Sequence, residues 1–372
     1  MAGSMKIGVK PLRDAMNALS DVVERRSTVP ILSDVLVRAS AGAVTMVTTD
    51  LDLMLEVQVS LEEPGTGAAM NFCVSADMLK SIAAKLPVEG IATIAASGNT
   101  GVTLTCGRSR FQLPTLDADD FPVLGSGEWD NQFEMAASEL GAMIDAVRFA
   151  ISTEEMRYYL NGIYCHAVED QMIAAATDGH RLAKRVGPLP DGAEDMPGII
   201  VSRKTVGVVN RLLDGLAVPV DVAISSAKIQ FAMGATTLTA KLIDGTFPDY
   251  NRVIPAANSR ALWFGPAAVI EAVERVLVLS SDKTRVVKMD LSKDILALSV
   301  RSPENGVAEE EVPVQWDGDD LTIGFNGSYL LDVLRHLNAD TAQCLFGDPA
   351  TPTLWRDGED AARTYVLMPF RV

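Results

Sequence analysis

Val74-Ser75-Ala76-Asp77-Met78-Leu79 returns as Val201-Ser202-Arg203-Lys204-Thr205-Val206 and again as Phe325-Asn326-Gly327-Ser328-Tyr329-Leu330, with starts 127 and 124 residues apart. Each string leaves a strand-like segment through a polar residue suited to cap a helix and enters an amphipathic helix. The helices continue to Leu86, Leu213 and Leu337 with apolar residues on the helical period, so each presents one apolar face. An earlier helix repeats as well. Leu12, Ala15, Met16 and Leu19 share their i, i+3, i+4, i+7 spacing with Leu140, Met143, Ile144 and Val147, and with Val269, Ala272, Val273 and Val276. Thr49-Asp50 returns as Thr177-Asp178, and Phe121-Pro122, Phe247-Pro248 and Met368-Pro369 close the three stretches. Three copies of about 124 residues fill the chain.

Between the helices the text reads as short strands, such as Ala43 to Thr48, Ile173 to Ala176 and Ile295 to Val300, punctuated by Gly, Asp and Asn. Each copy is therefore two helices on antiparallel sheet, an α+β layer with one helical face. Chance periodicity in a chain rich in Ala, Val and Leu imitates one such match; three ordered landmarks at a shared spacing argue against it.

The 372 residues, 48% hydrophobic and 22% charged, describe an ordinary globular protein too long for a single core. Acidic residues number 49 against 32 basic, a net charge of −17 that argues against holding nucleic acid by bulk positive charge. Any contact with DNA must be local. No run of 18 apolar residues and no basic-then-apolar leader is present, so neither a membrane span nor secretion is supported and a cytoplasmic address is the default. The first four residues, Met-Ala-Gly-Ser ahead of a second Met5, read as a cloning remnant and are left out of the fold argument.

Cys73, Cys106, Cys165 and Cys344 fall singly and read as buried thiols in a reducing compartment. With only 3 histidines, metal chemistry is not expected, and no cofactor is. Phosphate-loop, dinucleotide and nucleophile-elbow motifs are all missing from the text. An enzyme built on Asp178 and His180 is the leading alternative of another class. A short Asp-Gly-His turn can place a carboxylate near an imidazole, but no nucleophile, metal cluster or oxyanion motif accompanies it. A third reading is a repeat scaffold that binds peptides without encircling DNA.

Four strings carry a resemblance. Ala176-Thr177-Asp178-Gly179-His180-Arg181-Leu182-Ala183, Phe247-Pro248-Asp249-Tyr250-Asn251-Arg252-Val253-Ile254-Pro255, Arg157-Tyr158-Tyr159-Leu160-Asn161-Gly162 and Tyr365-Val366-Leu367-Met368-Pro369-Phe370-Arg371-Val372 together resemble the bacterial DNA polymerase III beta subunits, the sliding clamps. The resemblance runs from Met5 to Val372. It implies three clamp-fold domains, at 1–125, 126–255 and 256–372, and a homodimer joined head to tail into a ring of six similar domains. Helices would line the hole and strands the rim. It implies no catalysis and no ATP hydrolysis, so that a separate clamp loader opens the ring. Double-stranded DNA, the polymerase III catalytic subunit, the loader, other DNA polymerases and repair proteins are the implied partners.

Charge fits that expectation. Helices read at 10–26, 75–87, 137–150, 202–214, 266–279 and 326–338 carry +1, +1, −1, +2, −1 and 0, so the acidic excess lies elsewhere. A ring holds duplex DNA by enclosure, so its contacts should be weak, sequence-independent and salt-sensitive. Candidates are Arg26, Lys80, Lys85, Arg203, Lys204, Arg211 and Arg335, of which Arg26 stands where the resemblance places a DNA-contacting arginine.

The resemblance also implies a peptide pocket between the second and third domains, carried by Leu160, Thr177, Gly179, Arg181, Leu182, Pro248, Arg252, Val253, Val366, Met368, Pro369 and Arg371, with His180 and Phe370 beside them. Prolines and Gly179 would shape a rigid groove, Val and Met would fill its wall, and arginines would offer rim contacts to a Gln-x-x-Leu-Phe-like tail. Phe370 departs from the methionine usual at that place and Val372 from the usual leucine. For the subunit contact, Arg108, Arg110, Phe111 and Leu113 in the first domain would meet Val278, Leu279, Glu304, Glu309 and Glu310 in the third, apolar centres ringed by opposite charges.

Overall fold

The computed structural model describes residues 3–24, 28–40, 42–66, 69–98, 101–125, 127–280, 285–358 and 360–372. The first repeat runs β1 (Ser4–Gly8), α1 (Val9–Leu19), β2 (Asp34–Ala39), β3 (Ala43–Thr49), β4 (Leu53–Ser60), β5 (Glu63–Thr66), β6 (Met70–Ser75), α2 (Ala76–Lys85), β7 (Ile91–Ala96), β8 (Gly101–Cys106) and β9 (Ser109–Pro114). The second runs β10 (Asn131–Met135), α3 (Ala137–Val147), β11 (Gly162–Val168), β12 (Gln171–Thr177), β13 (Arg181–Pro188), β14 (Ile199–Ser202), α4 (Arg203–Leu212), β15 (Val220–Ile224), β16 (Lys228–Met233) and β17 (Thr236–Lys241). The third runs β18 (Arg260–Phe264), α5 (Pro266–Leu277), β19 (Val286–Ser292), β20 (Ile295–Ser302), β21 (Gly306–Pro313), β22 (Gln315–Trp316), β23 (Leu321–Asn326), α6 (Gly327–Arg335), β24 (Ala342–Phe346), β25 (Thr353–Asp357) and β26 (Asp360–Leu367). Two helices per repeat on antiparallel strands is the expected α+β fold.

The second helix of every repeat is capped where the motif places a polar residue. Ser75 accepts from the Met78 amide, Ser202 from the Thr205 amide, and Asn326 from the amides of Ser328 and Tyr329. The apolar stripes of α1 and α5 are fully inward, since Leu12, Ala15, Met16 and Leu19, and Val269, Ala272, Val273 and Val276, are all buried. Two sequence expectations need correction. The first helix stops at Leu19, well short of 26, because the Ser20 hydroxyl bonds back to the Asn17 carbonyl and the next amides take i→i−3 partners, Asp21 to Ala18 and Val22 to Leu19. Ser4, set aside with the first four residues, opens β1 and pairs with Ala95 on β7 and Thr66 on β5.

The chain forms two compact units. The first comprises Met1–Ser138, Pro190–Met196 and Gly207–Leu242. It holds a five-stranded sheet, β5-β1-β7-β8-β9, and an eight-stranded sheet, β10-β15-β16-β17-β4-β3-β2-β6. In the larger sheet strands of the second repeat continue into the first through β17 and β4, paired from Thr236↔Val57 to Ala240↔Leu53. Its core contains Met5, Ile7, Leu12, Met16, Leu36, Met46 and Leu55.

The second unit comprises Glu139–Leu189, Pro197–Val206 and Ile243–Val372. A nine-stranded sheet, β14-β11-β12-β13-β26-β25-β24-β18-β22, joins the second repeat to the third through β13 and β26, from Arg181↔Leu367 to Arg185↔Arg363. A four-stranded sheet, β21-β20-β19-β23, completes it. Trp355 is its aromatic centre, edge-on to Phe264, Phe325 and Phe346, with its indole N–H satisfied by Thr353 at 2.8 Å.

Candidate functional site

Of the pocket candidates, those of the β12–β13 turn and of β26 meet at the β13–β26 seam of the second unit. Thr177 ends β12 and its hydroxyl donates to the Arg181 carbonyl at 2.7 Å while accepting the Gly179 amide at 3.1 Å. Asp178 accepts the amides of His180 and Arg181 at 2.9 and 3.1 Å, closing the turn. Gly179 stands at φ +88°, where an L side chain is strained, and a Cβ there would meet the Arg157 guanidinium at 2.8 Å. The turn delivers β13 onto β26, with Leu182 opposite Val366, and the pairing runs on as the Met368 amide bonds the His180 carbonyl at 2.9 Å.

Beneath the seam Leu160, Leu182 and Val366 share an apolar cluster with Ile173, Phe247, Tyr250 and Leu354. Tyr250 anchors the Tyr250–Val253 turn there, so Pro248, Arg252 and Val253 lie on its exposed flank; Val253 is half exposed, and Arg252 pairs with Asp249 at 3.0 Å. Met368 is 42% exposed, an apolar side chain left at the surface beside that cluster. The next residues turn elsewhere. The Phe370 amide bonds the Gly324 carbonyl on β23, and a Cβ at Gly324 would collide with Val372, so the tail lies on the four-stranded sheet with Phe370 exposed. Pro369 is partly buried and Arg371 exposed.

Arg181 faces inward rather than to the rim. Its side chain is 9% exposed, ion-paired with Asp178 at 3.1 Å and Asp332 at 2.5 Å, and it donates to the Phe149 carbonyl at 2.7 Å. The guanidinium also stacks on Tyr329, 4.4 Å from the ring centre, and His180 stacks on the same ring at 5.9 Å. Sequence reasoning missed Phe149, Tyr329 and Asp332. Asp178 and Arg181 are an i, i+3 pair visible in the text, but Asp332 is 151 residues from Arg181, a separation no local pattern spans. Next to the cluster, His166 bonds the Tyr250 hydroxyl at 2.8 Å; burial, helped by the charge of Lys184, holds its pKa below the ordinary value, and burial raises Tyr250 to about 12.

The six helices carry +1, +1, −2, +3, −1 and 0. In the first unit Lys80 on α2 donates to Ser20 at 2.6 Å, Lys85 ends the same helix, and Arg211 on α4 pairs with Asp21 at 2.7 Å. In the second unit Arg203 and Lys204 open α4, exposed, and Arg335 on α6 pairs with Glu274 at 2.6 Å. Arg26 lies outside the described residues.

Among the described residues β9 and β21 end their sheets with no strand outside them. On β9 Arg110 is exposed, Phe111 partly buried and Leu113 buried; Arg108 occupies the preceding turn. On β21 Glu309 is exposed, while Glu310 turns back onto Arg275 of α5 at 2.5 Å, which lowers the carboxyl pKa. Val278 at the end of α5 is 78% exposed, Leu279 partly buried, and Glu304 exposed in the β20–β21 turn. The four cysteines are free, with Cys165 only partly buried.

Family models of the DNA polymerase III beta subunit match the chain in succession: the N-terminal domain over residues 5–125, the central domain over 134–249 and the C-terminal domain over 251–371. The beta sliding clamp of Caulobacter vibrioides is 43% identical over 368 residues, covering 97% of this chain and 98% of the relative. That of Escherichia coli is 34% identical over 366 residues, covering 98% and 97%. A solved sliding clamp from Bartonella birtlesii, bound to griselimycin, superimposes with a TM-score of 0.95 at 38% identity over all of both chains. A Caulobacter crescentus clamp carrying a polyethylene glycol in a region proposed to tether the beta motif gives 0.95 at 41%, covering 100% of this chain and 99% of that one. Three successive clamp domains, matched in sequence and in fold, place the chain in the DNA polymerase III beta subunit family, the DNA sliding clamps.

Proposed function

We propose that this clamp works as a homodimeric ring that encircles duplex DNA without catalysing a reaction, tethering the replicative polymerase and other DNA-processing proteins through tail peptides. One observation carries the ring. β17 and β26 are the third strands of their hairpin runs and pair with β4 and β13, the strands that follow the Thr49 and Thr177 turns. β9 is the first repeat's counterpart of β17 and β26, and β21 the third repeat's counterpart of β4 and β13. Among the described residues these two strands lack the pairing their counterparts have, one carrying Arg110 and the other Glu309 and Glu311. A second copy supplies each with its missing neighbour, head to tail, and three repeats per chain make six around the ring. Val278, Leu279 and Phe111 provide its apolar part.

Domains at 1–125, 126–255 and 256–372 follow the repeat, and enclosed DNA would meet Arg26, Lys80, Lys85, Arg203, Lys204, Arg211 and Arg335. Arg211 and Arg335 already have internal acidic partners, which suits contacts that must not grip. The apolar seam of Leu160, Leu182, Val366 and Met368 supports the pocket for an apolar tail peptide. Such a ring works on the chromosome, in the bacterial cytoplasm. Sedimentation at sub-micromolar concentration is expected to give a dimer; a monomer there contradicts the ring. A chain ending at Leu367 should stay dimeric and lose affinity for a polymerase tail peptide by about thirtyfold or more; unchanged affinity removes the pocket.

A further inference from the structure

The turn that builds the pocket occurs twice. In the first unit Thr49 donates to the Leu53 carbonyl at 2.7 Å and accepts the Leu51 amide at 3.0 Å; Asp50 accepts the amides of Asp52 and Leu53 at 2.9 and 2.6 Å. These bonds match those of Thr177 and Asp178 one for one. Leu51 takes the left-handed conformation, φ +77°, at the place of Gly179, although it is not a glycine. The Lys241 amide bonds the Asp52 carbonyl at 2.8 Å as the Met368 amide bonds that of His180. An apolar cluster lies beneath here too, with Met54 and Phe121 at the places of Leu182 and Phe247.

What differs is the wall. Where the second unit presents Met368 and His180, the first presents Lys241 and Asp52, ion-paired at 3.1 Å and both well exposed. We infer that Asp52 and Lys241 are specificity residues that close this second copy of the frame to apolar tail peptides, so that each protomer offers one site and not two. The pair acts through hydration rather than strength. An exposed ion pair is weak, but an apolar anchor laid over it strips water from two charges and returns no hydrogen bond. Leu51 adds to the closure by placing a side chain where Gly179 has none.

This rests on the pocket reading, and the test separates the two. The full-length protein is titrated calorimetrically with a fluorophore-free Gln-Leu-Ser-Leu-Phe peptide, as wild type and as the variant L51G/D52H/K241M, with dimerisation and circular dichroism as folding controls. Wild type is expected to bind one peptide per protomer and the variant two. In a chain ending at Leu367 the wild-type background should lose its site, whereas the L51G/D52H/K241M background should keep one. Two sites in wild type, or one in a folded variant, overturn the inference while leaving the pocket standing. No binding by wild type removes the pocket reading itself. K241M and D52H alone, each removing half of the pair, serve if the triple variant does not fold; neither showing weak extra binding also overturns the inference.

Discussion

Arg181 shows how one side chain ties a turn to its scaffold. Its guanidinium satisfies two carboxylates and a carbonyl and stacks on Tyr329, so it sets the turn, α6 and the segment at Phe149 together. Replacing it with methionine leaves Asp178 and Asp332 without their cation, and removing one partner of a largely buried pair costs about 3 kcal/mol. Arg181→Met should therefore lower the urea midpoint of the second unit, and Arg181→Lys should recover only a minor part, because an ammonium cannot bridge both acids in one plane. Two histidines of the same unit make its stability depend on pH. Burial holds His166 and His336 below the ordinary 6.5, so below that value the unfolded chain binds more protons than the native one. Stability from these groups is complete above pH 6.5 and is lost as the pH falls through their depressed values. The melting temperature should fall as the pH is taken below 6.5, and His336→Gln should flatten that slope.

At the scale of elements, the caps are where sequence and structure meet most directly. Asn326→Ala removes the one side-chain oxygen that accepts both the Ser328 and the Tyr329 amide and should cost about 1 kcal/mol of stability by denaturant titration. Because Tyr329 is the ring on which His180 and Arg181 stack, the same change should also weaken peptide binding. The caps were legible because a helix start is a local event, and the stripes of α1 and α5 because burial of one face imposes the period. The end of α1 was not, since a serine hydroxyl competing with the helix leaves no mark on the apolar pattern. For the site, the Thr-Asp-Gly turn could be read from residues four apart. The inward turn of Arg181, Glu310's capture by Arg275 and the tail's departure onto Gly324 depend on long-range partners that spacing does not encode. The duplicate turn at Thr49 was visible as a dipeptide, but its charged wall emerges only when β17 brings Lys241 to Asp52.

At the scale of the molecule, the repeat makes the proposed subunit contact specific to the residue. Laying β21 on β9 in the β4–β17 arrangement, with inward positions facing inward positions, sets Phe111 opposite Ala308 and Arg110 opposite Glu309. The outward pair then joins opposite charges across the strands. R110C/E309C should form a disulfide-linked dimer on oxidation without denaturing, whereas R110C/E311C, two positions out of register, should not. The most direct measurement of the account is retention on DNA. After loading onto nicked circular duplex by its loader, the protein should stay bound through a high-salt gel-filtration column and be released within minutes when a single restriction cut linearises the circle. Equal release from the circle and the cut molecule, or equal retention on both, contradicts a clamp that holds DNA by enclosing it.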